Sequence, residues 1–282
     1  ELGFTESPFQ DSRAVLSYEG GESKGISRLH TFFWESDSLK NYKNTRNGLI
    51  GSDYSSKFSA WLSLGCLSPR EIYWEIKKYE HERISNASTY CLSFELLRRD
   101  YFRFMFKKHG NKFFSKIGFS DSEPEEAAGQ VELFEIWKSG RTGIPFIDAN
   151  MRELNATGFM SSKGRQNVAN YLAKDLKVNW TWGAAYFESN LIDYCPSNNW
   201  GNWVHAVGLG NDPRENRDLN ILKQAKELDP HGDYVRLWIP ELKNIPAGKI
   251  HEPWKLSPDK LEEYQIEIGV TYPNPVSGIL SC

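Results

Sequence analysis

The residues in this sequence best suited to chemistry form an anion site. Tyr42-Lys-Asn-Thr-Arg46 is followed by Tyr54-Ser55-Ser56-Lys57-Phe58-Ser59, and the second run stands just ahead of a helix-forming stretch. Hydroxyl and loop N–H donors at a helix start, with a Lys and an Arg beside them, suit a phosphate. Taken alone the pattern is weak, because Ser-rich turns usually just cap helices. A second basic group, Arg98, Arg99, Arg103, Lys107, Lys108 and His109, falls on one predicted helix. Lys107 and Lys108 read more simply as a solvated helix end that favours the dipole. Ten Trp within 14% aromatic content exceed what a small core needs. Most read as core, and some as rings lining a ligand site or a route for charge.

Helices must position these groups. Ser68-Pro69-Arg70-Glu71 offers an N-cap, a Pro at the first helical position and a capping-box Glu. Over residues 89–108, Tyr90, Phe94, Leu97, Tyr101, Phe104 and Lys108 follow three- and four-residue steps, and Gly110 stops the run. Leu92, Leu96, Phe102 and Phe106 lie off that stripe, so burial of most of the circumference is expected. Further helices are expected over 145–155, with Gly158 ending the turn, and over 165–178, 220–228 and 258–267. Alternating strand patterns are nearly absent, so the fold class is all-α. Residues 1–25, with Pro8, Gly3, Gly20, Gly21 and Gly25, read as a linker-like leading segment and tether, and 26–282 as one helical domain.

A net charge of -3 and a pI near 6.1 exclude attraction to nucleic acid through total charge, so any such site must be local. Cys66, Cys91, Cys195 and Cys282 form no CxxC pair and no zinc or disulfide spacing. No metal is expected, and a reducing intracellular compartment is. With no run of about 18 apolar residues and no signal-peptide pattern, a membrane partner is not expected either.

Read together with LSLGCLSPR over residues 62–70, the run ending at Ser59 resembles the photolyase/cryptochrome pattern in which hydroxyls wrap the pyrophosphate of a bent FAD. FELLRRDYFRF, RTGIPFIDANMREL, TGFMSSKGRQNVANYLAKDLKVNW and GNDPRENRDLNILKQAKELDPHGDYVRLWIPEL extend the resemblance over nearly the whole chain. The Gly164-Arg-Gln-Asn-Val block and the Asn-Asp-Pro-Arg-Glu-Asn-Arg run are similar to the DASH-type cryptochromes. The resemblance implies the helical FAD domain of that family. Nothing here resembles its usual N-terminal α/β antenna domain, so the sequence reads as either a fragment or a naturally reduced form, with a separate antenna domain or a signalling partner as candidate partners.

The same resemblance assigns roles. Tyr42, Ser55, Ser56, Lys57, Phe58 and Ser59 would hold FAD, with Arg99 near it. Arg165 would pair with Asp193 beside the flavin ring, and Asn199 would lie near the nitrogen that exchanges protons. Trp203 and Trp180 match the ring-proximal and middle positions of a three-Trp electron route. Ala127 stands where the outermost Trp is expected, and Trp182 or Trp200 are the substitutes considered. Glu95 matches the acid that meets a flipped pyrimidine dimer, Gln166 a pocket residue, and Arg46 and Lys163 contacts to DNA phosphate.

Departures cluster at the pocket. Arg98 stands where a Trp stacks on the dimer, Ser162 replaces Asn, and His205 takes an aromatic position. Cys195 stands where a second acid meets the flavin, and Cys91 where a Trp is usual. Base–aromatic stacking is worth roughly 1–3 kcal/mol per base, so dimer recognition should weaken. The resulting expectation is a FAD-binding, blue-light photoreceptor-like protein with reduced or absent DNA repair. The alternatives are a photolyase acting on cyclobutane pyrimidine dimers in single-stranded DNA, and a scaffold without flavin. Whether it is an enzyme stays open at this stage.

Overall fold

Short local signals set most helix boundaries. The structure, a computed structural model, describes residues 10–121, 123–210 and 219–276. Its helices are α1 (Glu22–His30), α2 (Tyr42–Thr45), α3 (Ser59–Ser63), α4 (Pro69–Glu82), α5 (Ala87–His109), α6 (Gln130–Lys138) and α7 (Pro145–Thr157). There follow α8 (Ser162–Asn170), α9 (Trp180–Asn190), α10 (Pro196–Ala206), α11 (Ile221–Leu228), α12 (Asp233–Trp238) and α13 (Pro258–Glu263). Among the described residues, extended pairing is limited to an isolated bridge between Ile268 and Tyr272, so the fold is all-α as expected.

Ser68 caps α4 by accepting from the Arg70 N–H, and Pro69 follows it, although Glu71 does not return the bond. Asn86 opens α5 with a reciprocal capping box to Thr89, which starts the helix at Ala87, three residues before its apolar steps do. Pro145 begins α7 and Gly158, at φ 69°, ends it in the left-handed region that glycine enters without a steric penalty. The helix expected over 165–178 begins earlier, at Ser162, because Ser161 caps it through the Gly164 N–H. It ends earlier too, in a wider π turn over Tyr171–Asp175. The run expected over 258–267 stops at Glu263.

α5 is the axis of the fold, packed by α2, α4 and α10. Leu92, Leu96 and Phe102 face those neighbours and are buried. Tyr90, Phe94, Leu97, Tyr101 and Phe104, the stripe with the better spacing, are exposed, which corrects the expectation of burial around most of the helix. The neighbours of α5 sit on one side only.

Three apolar clusters hold the molecule: one around Trp137, Trp180 and Trp203, one around Phe32, Phe33 and Tyr79, and one around Tyr234, Trp238 and Tyr272. Fully burying a large apolar side chain stabilises by about 1.5–3 kcal/mol. Two close approaches need glycine. A Cβ on Gly164 would lie 1.9 Å from Asn150 Oδ1, and one on Gly183 would lie 2.3 Å from the Trp203 ring. Without those two side chains α8 settles on α7, and α9 on Trp203.

The leading segment is not a free tether. The Arg13 guanidinium, paired with Asp11, lies 4.2 Å from the centroid of the Trp238 ring. Tyr18 packs 5.4 Å from Trp61, whose indole donates to the Glu19 carbonyl. Composition suggested a linker, but these rings fasten it to the body, and α1 already begins at Glu22.

Candidate functional site

A cavity of about 1110 Å³ opens among α2, the turn before α3, α5, α8 and α10. Tyr42, Ser55, Ser56, Lys57, Phe58, Ser59, Arg99, Arg165, Asp193, Cys195 and Asn199 line it, as do Arg46, Glu95, Arg98, Ser162, Lys163, Gln166, Trp203 and His205. Trp180 does not border it, nor do Cys91, Ala127, Trp182 and Trp200, nor Arg103, Lys107, Lys108 and His109 of the basic group. Apolar walls with a few convergent polar groups suit a large ligand, since ordinary ligand cavities span about 300–1,000 Å³.

The turn at residues 55–59 is built from behind. Arg28 of α1, itself buried, donates to the carbonyls of Ser52, Ser55 and Ser56 at 3.0, 3.3 and 3.1 Å and to Asp53 at 2.9 Å. Lys57 takes a left-handed φ of 61°, and Phe58 follows in the right-handed helical region. Successive residues of opposite hand turn their N–H groups into one concavity, the geometry that receives an anion. Among the described residues, none of the N–H groups of Lys57, Phe58 and Ser59 donates to a protein acceptor. Arg28 was missed in the sequence, where an Arg in a polar, Gly-bearing stretch looks solvated.

Deeper in, Arg165 Nη2 donates to both Asp193 oxygens, at 3.0 and 2.9 Å, and its Nε donates to the Met160 carbonyl. The Asp193 side chain is only 4% exposed, so the Arg165 pair offsets the cost of burying it. Asn199 donates through Nδ2 to the Ala184 carbonyl at 2.9 Å, which fixes its plane. Cys195 caps α10 and contacts Ser197. Arg99 donates to the Leu62 carbonyl through Nη2, while its buried Nη1 has no hydrogen-bond partner. Burial, and then Arg103, lower its pKa, so the site favours an anion beside it.

At the mouth, Arg46 pairs with Glu95 across α2 and α5. Arg98 reaches Asn202 of α10 at 3.4 Å, with its guanidinium 5.8 Å from the Phe102 ring. Ser162, Lys163 and Gln166, on the first turns of α8, line the same cavity. The Asn-Asp-Pro-Arg-Glu-Asn-Arg run falls on residues 211–217, outside the described residues.

The tryptophans separate into two groups. Trp203 packs edge-on against Trp137 at 6.3 Å and Phe187 at 5.1 Å. Trp180 meets Trp200 at 5.8 Å, and Trp200 meets Phe114 at 4.8 Å. The Ala127 N–H donates to the Lys177 carbonyl, so residue 127 lies beside the loop that leads into Trp180.

Residues 92–279 match the family described as the FAD binding domain of DNA photolyase. The chain belongs to the photolyase/cryptochrome family, of which it carries the FAD-binding helical domain. Its relatives place it with the DASH cryptochromes: it is 56% identical to Cryptochrome DASH of Synechocystis over 265 residues, 94% of this chain and 54% of that protein. It is 51% identical to Cryptochrome DASH of Danio rerio over 275 residues, 98% of this chain and 52% of the relative. The crystal structure of the Synechocystis cryptochrome superposes with a TM-score of 0.92 at 54% identity, covering 96% of this chain and 56% of that one. A bacterial class III photolyase from Agrobacterium tumefaciens superposes at 0.82 and 28% identity, covering 90% and 52%. The chain thus spans about half the length of the relatives it matches.

FAD is the cofactor of this family, and the cavity fits it. The N–H groups of Lys57, Phe58 and Ser59 would suit a pyrophosphate, and Arg99, whose Nη1 lies 3.9 Å from Asp100, adds positive charge to the cavity lining.

Proposed function

We propose that the chain is a FAD-binding, blue-light photoreceptor-like protein of the DASH type in which repair of pyrimidine dimers is reduced or absent. One contrast carries this reading. The inner cavity has the anion turn and the buried Arg165–Asp193 pair, while the mouth presents Arg98 instead of a flat apolar ring, and Glu95 is held by Arg46. Bound FAD would supply light-driven electron transfer, and the protein tunes it through fixed charges and hydrogen bonds. The turn at 55–59 holds the phosphates, Arg165 with Asp193 fixes the charge beside the ring, and Asn199 offers an amide there.

Single-stranded DNA is the partner proposed for the mouth. Arg46, Arg98 and Lys163 attract phosphate, and such contacts say little about the base. A repair enzyme is the second reading, supported by Glu95 and Gln166 on the cavity wall. Illuminating the flavin-loaded protein with a dimer-containing single strand separates the two. We expect little or no loss of dimer, and efficient turnover would overturn the first reading. No helix among the described residues is long and apolar enough to cross a membrane.

Electron supply from solvent follows from the aromatic contacts. With Ala127 at the outer position, the ring in contact with Trp180 is Trp200, next to the exposed Phe114. Trp200→Phe should slow flavin photoreduction by an external reductant more than Trp182→Phe does, and Ala127→Trp should speed it. Equal rates in all three variants and the parent protein would show that electrons reach the flavin by another path.

A further inference from the structure

Trp203 borders the cavity, and its neighbouring rings open a second way to the surface. Its indole stands edge-on to Trp137 of α6 with centroids 6.3 Å apart, and Trp137 stands 6.0 Å from Tyr186 of α9 at 66°. Both are ordinary edge-to-face spacings. Trp137 is 0% exposed, and its indole N–H donates to the Val168 carbonyl at 3.0 Å. Tyr186 is half-buried, and its hydroxyl donates to Asn155 Oδ1 of α7 at 2.7 Å. Asn155 is exposed, and its Nδ2 donates to the Lys138 carbonyl, which fixes the amide.

Other ways outward meet phenyl rings. Phe134 stands between Trp137 and Trp182 in ring contact with both, and Trp200, 7% exposed, meets Phe114. A phenyl ring gives up an electron less readily than an indole or a phenol does. A phenol gives up its electron together with its proton, so it needs an acceptor in place. Burial raises the Tyr186 pKa, Lys138 lowers it and Glu135 raises it, so the hydroxyl carries its proton at neutral pH. Asn155 Oδ1 marks where that proton leaves, on the solvent side. The Trp137 indole has only a backbone carbonyl at its N–H, which cannot take the proton, so the oxidised ring stays a cation that draws an electron from the phenol.

We propose, with FAD as the ligand already inferred for this cavity, that Trp203, Trp137 and Tyr186 form a second electron route with Tyr186 as its surface donor. In light, Trp203 yields one electron to the flavin and is refilled from Trp137, which is refilled from Tyr186. Tyr186 releases its phenolic proton past Asn155 to water and is left as a neutral radical. A thiol in solution returns a hydrogen atom to it, and two thiyl radicals so formed join as a disulfide.

The test follows the radicals by transient absorption and electron paramagnetic resonance in two preparations. In FAD-loaded protein a blue flash without thiol should leave a tyrosyl radical, formed more slowly in D2O. Tyr186→Phe should replace it with a shorter-lived tryptophanyl radical, Trp137→Phe should abolish it, and Trp200→Phe should leave it in place. In flavin-free protein an ultraviolet flash ionises tryptophans directly. There Tyr186→Phe and Trp137→Phe should lose the same share of tyrosyl yield, and the double variant no more, because contacting partners couple. Pairs such as Tyr18 with Trp61 and Trp34 with Tyr79 supply the background that remains. A tyrosyl signal unchanged by Tyr186→Phe, one lost in Trp200→Phe, one formed equally fast in D2O, or a parent protein with tryptophanyl radical alone overturns the route. Should Trp137→Phe fail to fold, Tyr186→Phe, which keeps its ring, still decides. A parent protein that binds no FAD would refute the cofactor reading instead. The flavin-free yields would then judge the route, equal losses supporting it and an undiminished yield refuting it.

Discussion

Replacing Arg165 with Leu should abolish flavin retention and lower the melting temperature by roughly 6–20 °C. Asp193 is 4% exposed and receives both hydrogen bonds of the pair from one guanidinium nitrogen. Removing that partner leaves a buried carboxylate uncompensated, at a cost of about 3–5 kcal/mol. In a unit of this size 1 kcal/mol moves the midpoint by about 2–4 °C. Adding Asp193→Leu should restore most of the lost stability, because an apolar pair of similar volume is often neutral or better. Flavin retention should not return. That split between recovered folding and lost cofactor separates a pair that serves the flavin from one that only braces α8. Recovery of flavin in the double variant would show the bracing role alone.

The second large effect is expected at the mouth, where Arg98→Trp should raise preference for a dimer-containing single strand over the undamaged strand by roughly ten- to a hundredfold. Stacking on an aromatic ring is worth about 1–3 kcal/mol per base. Arg98 now spends its guanidinium on Asn202 and the Phe102 ring, in a cavity that Ser162 and Gln166 also line. Losing the charge should also shallow the salt dependence of binding, by about 0.7 in the logarithmic slope for a single phosphate contact on a single strand. Paired dissociation constants at two salt concentrations check both numbers. A parent protein with strong dimer preference and efficient light-driven turnover would refute weakened recognition.

Most of the helical frame was legible because its signals are local. Ser68 with Pro69, and Pro145 with Gly158, are boundary signals that work wherever they occur. Other elements were not legible. α9 carries Trp180, Trp182, Ala184, Tyr186 and Phe187, apolar around much of its circumference, so no single face announces it. On α5 the better-spaced stripe is the exposed one, since spacing reports a ridge of rings and not which side the neighbours occupy. The leading segment looked like a linker because of Pro8 and its glycines, while its packing rests on Arg13 and Tyr18.

The candidate site was legible as a set of residues and not as a mechanism of support. Family resemblance brought together the residues that line the cavity. It gave no sign that Arg28 would gather the carbonyls behind the turn, or that the Lys57 ammonium would lie over the Tyr54 ring. Both depend on backbone geometry, which a side-chain pattern does not encode.

The most direct test of the account is to saturate the purified chain with FAD, remove free ligand by gel filtration, and record absorbance and flavin content. A single flavin per chain with a retained blue absorption band is the predicted result, reduced in Ser56→Ala/Ser59→Ala protein. Colourless protein after exposure to excess FAD would contradict the assignment of the cavity.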